Sequence, residues 1–412
     1  MNTLLETQLK RAKVAARLLK NMPTCTKNQA LDKIADALIA HSEEILEANK
    51  KDMSHAKEVN MTKAMQDRLL FTHERIVGVS DGVKKVATLP DPIGEVMESW
   101  TRPNGLEISK VRVPIGVFGI IYEARPNVTV DIASLCLKSG NACVLRGGKE
   151  AIHTNKKLVE IMKCATKDIL PEGAIELITE LDHVIVGELI HANEYVDVIV
   201  PRGGAGLIQF VVKNATVPVI ETGAGICHLY VDKDADLNKA LIIAVNAKIQ
   251  RPSVCNAIET ILVHKDVADK FLPELKKAFE KVEIKGDDAT CQIIHCEHVT
   301  DDSYATEYDD YIVNIRVVDS VEEAINHIYT YSTKHSESII TENDETAVLF
   351  MNSLDSACVY HNASTRFSDG GEFGFGAELG ISTQKLHARG PLGLKEMCSY
   401  QYKIEGNGQI RE

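Results

Sequence analysis

A single cysteine is placed where a nucleophile would be useful. Cys255 lies in a short polar segment just ahead of the apolar run Ile258–Val263, which predicts a thiol at the mouth of a strand. The thiolate is the reactive form of cysteine, and a nearby cation such as Arg251 favours it. A buried structural cysteine is the alternative interpretation of the same pattern. As a nucleophile, Cys255 would form a covalent acyl intermediate.

An amide side chain follows another predicted strand. Asn127 comes directly after Arg125 and Pro126, which themselves follow the continuous apolar run Ile115–Tyr122. Ligand sites of open parallel sheets lie at the carboxyl ends of the strands. The amide is therefore a candidate donor to a developing oxyanion. An ordinary turn asparagine after proline is the alternative.

Two glycine-containing loops are candidate anion sites. Gly203 and Gly204 follow the predicted strand Val196–Val200 and open a helix, where free backbone N–H groups suit a phosphate. Arg146 and Lys149 stand at the end of another strand, where two cations could meet an adenosine ribose or its 2′-phosphate. Neither loop carries a complete dinucleotide or Walker motif, so tight turns and solvated charges remain the alternatives.

A glutamate and a cluster of cysteine and histidine residues are the remaining candidates for catalysis or metal binding. Glu221 ends the predicted strand Val217–Glu221 and is a candidate general base, or only a cap at a strand end. A cluster of cysteine and histidine residues lacks a second ligand pair at zinc spacing, so we predict surface histidines and no metal. The cluster consists of Cys291, His295, Cys296 and His298.

The elements that must position these residues alternate along most of the chain. Helical periodicity extends to about Leu89, and a hairpin is predicted over 94–113. From Pro114 onward, strands that are apolar throughout alternate with helices, which is typical of parallel sheets covered on both faces. A second α/β cycle begins near His228. The polar, acidic segment 283–311 is predicted to be the least structured part.

The composition limits the class of protein. The 412 residues are 44% hydrophobic and 25% charged, which predicts a globular chain of two or three domains. A net charge of −13 argues against a general nucleic-acid binder. No run has the roughly 18 apolar residues of a membrane span. The ten scattered cysteines, none in a Cys-x-x-Cys pair, favour reduced thiols and a cytoplasmic protein.

Five long strings of the chain are distinctive, namely Pro114–Thr129, Leu137–Glu150, Val200–Phe210, Asn246–Thr260 and Tyr360–Gly393. They resemble the gamma-glutamyl phosphate reductase family of the aldehyde dehydrogenase superfamily. The resemblance spans essentially the whole sequence. It implies an α/β, aldehyde dehydrogenase-like fold with two Rossmann-like parallel-sheet domains plus a small β oligomerisation element.

The resemblance also implies a division of the chain. Residues 1–93 and 113–225 correspond to a cofactor-binding domain, and residues 226–393 to a catalytic domain with Cys255. In the alternative division, the C-terminal part of residues 226–393 belongs to the cofactor-binding domain. Hairpin 94–112 and tail 394–412 correspond to the oligomerisation element.

Residue roles follow from the same resemblance. Cys255 matches the catalytic thiol, and Asn127 matches the amide that completes the oxyanion hole with the Cys255 backbone N–H. Glu221 matches the glutamate that precedes the thiol in hydrolytic members, and its role here is left open. Glu307 matches the glutamate that holds the nicotinamide ribose.

The resemblance also implies residues that bind the adenosine end and the phosphates of the cofactor. Arg146 and Lys149 fall at the adenosine end of the cofactor, and Gly203 with Gly204 falls near its phosphates. Cationic residues near the site, Arg125 and Arg251, are our own candidates for holding the substrate's phosphate or α-carboxylate, with structural salt bridges as the alternative.

The implied reaction is NADPH-dependent reduction of L-glutamyl 5-phosphate to L-glutamate 5-semialdehyde and phosphate through a cysteine thioester, in L-proline biosynthesis. The resemblance further implies a homo-oligomer, and glutamate 5-kinase is a candidate partner. Three other functions stay open. They are a hydrolytic NAD(P)-dependent aldehyde dehydrogenase, a cofactor-free cysteine acyl hydrolase or acyltransferase, and a non-enzymatic scaffold subunit.

Overall fold

The computed structural model describes residues 2–411 and divides the chain into two compact units. Unit 1 contains Met1–Glu221, Gly374–Leu379 and Leu392–Glu412, and unit 2 contains Thr222–Phe373 and Gly380–Pro391. The chain therefore changes unit after residue 221, four residues earlier than the boundary predicted from sequence. Two late segments belong to unit 1. The cofactor-binding, catalytic and oligomerisation roles of these parts of the chain stay predictions.

Unit 1 begins with helices and continues as strand–helix repeats. The apolar stripe of the second helix is buried, including Leu31, Ile34 and Leu38. Its elements up to residue 214 are α1 (Thr3–Leu19), α2 (Thr24–Ala40), α3 (Ser42–Glu58), α4 (Lys63–Leu69), α5 (His73–Thr88), β1 (Val96–Thr101), β2 (Glu107–Pro114), β3 (Val117–Tyr122), α6 (Asn127–Lys138), β4 (Ala142–Gly147), a 3₁₀ turn (Lys149–Ala151), α7 (Ile152–Thr166), β5 (Ile175–Leu177), α8 (His183–Ile190), β6 (Val198–Arg202) and α9 (Ala205–Asn214).

The central sheet of unit 1 has four parallel strands in the order β5-β4-β3-β6. Strands β3 and β4 are buried at every position, as expected for strands covered on both faces. The predicted strand Val217–Glu221 is wrong, because the segment makes only an isolated bridge between Ile199 and Val219. Pro218 lies within it and has no N–H to donate to a ladder.

Unit 2 repeats the strand–helix alternation. Its elements are β7 (Cys227–Val231), α10 (Leu237–Ile249), β8 (Ile258–His264), α11 (Lys265–Ala278), β9 (Glu283–Gly286), α12 (Asp288–Ile294), β10 (Glu297–His298), α13 (Asp301–Tyr304), β11 (Ile312–Val318), α14 (Val321–Tyr331), β12 (Ser336–Ile340), α15 (Asp344–Ser353), β13 (Cys358–His361), a 3₁₀ turn (Thr365–Phe367), β14 (Ile381–Ser382) and β15 (Gly390–Pro391).

Seven parallel strands form the main sheet of unit 2, in the order β10-β9-β11-β8-β7-β12-β13. The expectation that 283–311 is the least structured part is wrong, since this segment contains β9, α12, β10 and α13. These elements are short and held by polar caps. Asp287 accepts from Thr290 N, and Thr300 forms a capping box with Ser303.

A third, antiparallel sheet belongs to unit 1 and joins β1 and β2 to the last strand, β16 (Cys398–Glu405). All positions of β1 are exposed, and so are those of β16 after Cys398. The predicted fold class, α/β with parallel sheets and a small β element, is confirmed. Within residues 2–411, no helix combines the length and apolarity that a membrane crossing needs.

Candidate active site

Cys255 lies on the loop between α10 and β8 in unit 2. The residue is partly exposed, in contrast to Cys227, which is buried at the start of the neighbouring strand β7. The Cys227 thiol donates to the backbone carbonyl of Cys255 at 3.2 Å. Burial raises the pKa of the Cys227 thiol well above its usual value. Cys227 is therefore a neutral support for the loop, and Cys255 is the accessible thiol of this pair.

The loop is held against Gly225. A Cβ added at Gly225 would lie 1.5 Å from the carbonyl oxygen of Cys255, so only glycine fits there. The Gly225 N–H donates to Glu307 Oε1 at 2.7 Å. The structure thus brings together the predicted thiol and the predicted ribose-binding glutamate through one glycine.

Two guanidinium groups lie close to the Cys255 loop. Arg251 is exposed, four residues before the thiol. Arg366 is partly buried, and its Nη1 donates to Asn256 Oδ1 beside the thiol. Sequence reasoning missed Arg366. The only available signal was its place within the resembling string Tyr360–Gly393.

Asn127 is the first residue of α6 in unit 1. Its Nδ2 donates to Asp131 Oδ2 at 2.9 Å, one helical turn along the same face. Burial raises the pKa of the Asp131 carboxyl to about 6, while the bond from Asn127 acts in the opposite direction. This hydrogen bond fixes the orientation of the amide. Arg125, two residues earlier, is exposed.

The loops after β3, β4 and β6 emerge at one edge of the four-stranded sheet, because Tyr122 is in register with both Gly147 and Arg202. Gly204 N donates to Glu123 Oε2 at 2.9 Å. A Cβ on Gly203 would approach the same oxygen to 2.4 Å. The Glu123 carboxylate thus already accepts from the first free N–H group where α9 begins.

The two predicted adenosine-end cations differ in environment. Arg146 is buried, and its Nη1 and Nη2 donate to the carbonyls of Gly147 and Leu181, each at 3.0 Å. Burial lowers the pKa of this guanidinium. Lys149 is exposed at the start of the 3₁₀ turn that follows β4. Of the two, Lys149 has the accessible charge.

The other predicted residues are distributed between the units. Glu221 is the last residue of the first segment of unit 1. The loops that carry Asn127 and Gly203 belong to the same unit. The Cys291 and Cys296 thiols lie 3.1 Å apart in unit 2. Among residues 2–411, no group of three or more histidine, cysteine or acidic residues is suited to hold a metal ion.

Known proteins match the chain along its whole length. Residues 3–300 match the model of the "Aldehyde dehydrogenase family". The gamma-glutamyl phosphate reductase of Moorella thermoacetica is 56% identical over 418 aligned residues, which cover 100% of both chains. That of Clostridium novyi is 56% identical and covers 97% of each chain. The crystal structure of the Thermotoga maritima gamma-glutamyl phosphate reductase has a TM-score of 0.97 and 48% identity, covering 99% of this chain and 100% of that one.

Proposed function

The chain belongs to the aldehyde dehydrogenase family, and we propose that it reduces L-glutamyl 5-phosphate to L-glutamate 5-semialdehyde and phosphate in cytoplasmic L-proline biosynthesis. The main support for this proposal is the partly exposed Cys255 thiol, on a loop that packs against Gly225. The chain is also 56% identical over its full length to a protein named gamma-glutamyl phosphate reductase. Family membership implies a nicotinamide cofactor, and we propose NADPH.

The proposed chemistry begins at Cys255. Its thiolate attacks the C5 carbonyl, a sulfur–carbon bond forms, and phosphate leaves with the electron pair of the carbon–oxygen bond. We expect the oxyanion to accept from the Asn127 amide and from the Cys255 backbone N–H. NADPH, when bound, supplies the hydride equivalent that reduces the thioester. Breaking the sulfur–carbon bond of the resulting thiohemiacetal then releases the semialdehyde and restores the thiolate.

Each unit has its own candidate residues for the cofactor. At the start of α9, a cofactor phosphate beside Gly203 would take the Gly204 N–H in place of the Glu123 carboxylate to which it now donates, and Lys149 offers an exposed charge at the adenosine end. In unit 2, Glu307 would accept from the nicotinamide ribose hydroxyls. Arg146 stays a predicted adenosine-end residue, and its bonds to two backbone carbonyls favour a role in shaping that loop.

Glu221 is the residue that separates this proposal from a hydrolytic aldehyde dehydrogenase. A base that activates water would waste an acyl phosphate, so we expect Glu221 not to act as one here. Arg125 and Arg251 stay our candidates for binding the anionic groups of the substrate. Both are exposed.

One assay tests the proposal. Oxidation of the semialdehyde by NADP should require added phosphate, and NAD should be the poorer oxidant. Cys255→Ser should abolish turnover while NADPH binding, followed by cofactor fluorescence, stays intact. Phosphate-independent turnover would support the hydrolytic alternative, and near-normal turnover of the serine variant would reject the covalent route.

The antiparallel sheet of β1, β2 and β16 is the proposed oligomerisation surface. Large apolar side chains are exposed on both of its outer strands, β1 and β16, which is typical of a protein–protein interface, and an edge-to-face contact pairs Trp100 with Tyr402 at 6.1 Å. Tyr400 is 50% and Ile404 60% exposed. We expect a homo-oligomer by light scattering that Ile404→Glu weakens. Glutamate 5-kinase stays a predicted partner. Light scattering of a mixture with the kinase tests this prediction, because a complex would have a larger mass than either protein alone.

A further inference from the structure

Arg366 is fastened to the loop that carries Cys255. Its Nε donates to Gln250 Oε1 at 2.8 Å, and its Nη1 donates to Asn256 Oδ1. Gln250 caps the end of α10, and Asn256 is the residue directly after the thiol. The guanidinium therefore spans the loop from its beginning to its reactive end.

The turn around Arg366 is bonded to the same loop through its backbone. Thr365 Oγ1 donates to the Asn256 carbonyl at 2.7 Å, and Asn256 Nδ2 donates to the Ser368 carbonyl at 2.9 Å. Asn256 is only 4% exposed. With these bonds on both sides of Arg366, the turn holds the guanidinium in a fixed place relative to the thiol.

The charge of Arg366 is not neutralised by the groups that position it. Gln250 and Asn256 contribute neutral amide oxygens. Burial lowers the pKa of the Arg366 guanidinium, the charge of Arg251 lowers it further, and the charges of Cys255 and Asp369 raise it. Two cations, one carboxylate and a thiol therefore share one small region, and a bound anion would offset the remaining positive charge.

We infer that Arg366, together with Arg251, forms the subsite for the phosphoryl group of the acyl phosphate. This inference rests on the proposed function and specifies which anion the cations bind. The phosphate is bonded to the carbonyl carbon that Cys255 attacks, so it must lie beside the thiol. The α-carboxylate is at the other end of the carbon chain. Two planar guanidinium groups match the oxygens of a phosphate dianion in geometry and charge.

The subsite has a chemical role in the leaving step. As the sulfur–carbon bond forms, the carbon–oxygen bond breaks and its electron pair stays on the phosphate oxygen. Negative charge therefore grows on the phosphate, which then takes a proton from water. Fixed cations stabilise this charge more than they stabilise the bound substrate. Before substrate binds, the same cations favour the Cys255 thiolate.

The test runs the enzyme in the oxidative direction, where phosphate and semialdehyde are separate substrates. Arg366→Gln should raise the KM for phosphate roughly 10- to 100-fold, the scale of one lost charge-assisted hydrogen bond. The KM for the semialdehyde should stay within about threefold, because the semialdehyde carries the α-carboxylate but no phosphate. Arg366→Lys should recover part of the phosphate affinity, since it restores the charge without the planar fork.

The control removes a partly exposed cation of unit 2 that lies in another ion pair. Lys239 pairs with Glu342 at 2.6 Å, and Lys239→Gln should leave both KM values unchanged. A raised semialdehyde KM with an unchanged phosphate KM would assign Arg366 to the α-carboxylate and overturn the inference. Wild-type turnover without any phosphate requirement would instead overturn the proposed function.

A second measurement does not depend on turnover. Phosphate should slow alkylation of Cys255 by iodoacetamide, read on the Cys255 peptide by mass spectrometry. In Arg366→Lys and Arg251→Gln the half-protecting phosphate concentration should rise, and in Lys239→Gln it should not. The apparent pKa of the alkylation rate should also rise in Arg251→Gln. If phosphate gives no protection in the wild type, or equal protection in all variants, the inference is wrong, even where Arg366→Gln fails to fold.

Discussion

Lys248 Nζ and Glu259 Oε2 lie 2.8 Å apart, with side chains only 0% and 1% exposed. Lys248 is in the last turn of α10, and Glu259 is the second residue of β8. Cys255 lies between them in sequence, so this buried ion pair closes the base of the loop that carries the thiol. Burial raises the pKa of the Glu259 carboxyl, and the Lys248 ammonium opposes that effect.

The first prediction concerns this ion pair. Lys248→Met should destabilise unit 2 by about 3–5 kcal/mol, because it leaves the Glu259 carboxyl buried without its partner. The double variant Lys248→Met/Glu259→Leu should regain most of that loss, since neither charge remains to be desolvated. Urea unfolding of the three proteins measures both effects. A single variant that costs less than about 1 kcal/mol would show that the pair does not hold the loop.

Much of the site could be predicted because its signals are local. The apolar runs that form β3 and β8 are continuous in sequence, and the candidate residues Asn127 and Cys255 stand directly beside them. The rest depends on contacts between distant segments. Arg366 binds Asn256 across 110 residues, and Glu307 binds Gly225 across 82. No periodicity carries such information.

Other residues have environments in the folded protein that their sequence neighbours do not predict. Arg146 has the same charge as Lys149 in the sequence, yet its guanidinium is buried against two carbonyls while Lys149 is exposed. The carboxylate of Glu123 reaches Gly204 from a different loop, which the motif Arg202–Gly206 alone does not reveal. Both outcomes follow from the register of neighbouring strands, which is a property of the assembled sheet.

The second prediction concerns Gly225. Replacing it by alanine would place a Cβ 1.5 Å from the carbonyl oxygen of Cys255, so the loop must shift. Since a displacement of about 1 Å at a reacting group can cost 10²-fold, turnover should fall roughly 100-fold. NADPH binding should fall less, because most of its proposed contacts are in unit 1. Steady-state kinetics and cofactor fluorescence separate the two.

Gly187 provides the matched control. It lies in α8, and a Cβ there would meet nothing within 4 Å. Gly187→Ala should keep full activity and stabilise unit 1 by about 0.5–1 kcal/mol, because alanine is the better helix former. Equal loss of activity in both variants would indicate a general intolerance of substitution, and full activity of Gly225→Ala would contradict the close packing.

The third prediction concerns Glu123, whose carboxylate accepts from Gly204 N where a cofactor phosphate is expected. Glu123→Gln removes a negative charge from that position, so NADPH should bind about two- to fivefold more tightly at low salt, the scale of an exposed charge interaction. Isothermal titration measures the affinity. Glu160→Gln, which removes an exposed charge paired with Lys157, should have no effect. Weaker binding in Glu123→Gln would show that the carboxylate organises the loop for the cofactor.

The last prediction concerns the pH dependence of stability. His327 is 3% exposed, and its ring packs on Tyr304 and Tyr331 with centroids 4.7 Å from each. Burial, together with the charges of the neighbouring His228 and Arg316, lowers the pKa of His327 to about 2. His327 therefore stays neutral in the folded protein under conditions in which the unfolded chain takes up a proton.

The sign follows from proton linkage. Below about pH 6.5 the unfolded state binds the proton and the folded state does not, so His327 costs about 1.4 kcal/mol of stability per pH unit as the pH falls. His327→Phe removes this dependence and retains an aromatic ring. Between about pH 7.5 and pH 5.5, the free energy of unfolding in urea should decline less in the variant, by roughly 1.4 kcal/mol. His73→Phe, at a histidine whose side chain is 61% exposed, should leave the wild-type slope unchanged. Parallel pH profiles for wild type and His327→Phe would show that His327 is protonated in the folded protein as readily as in the unfolded chain.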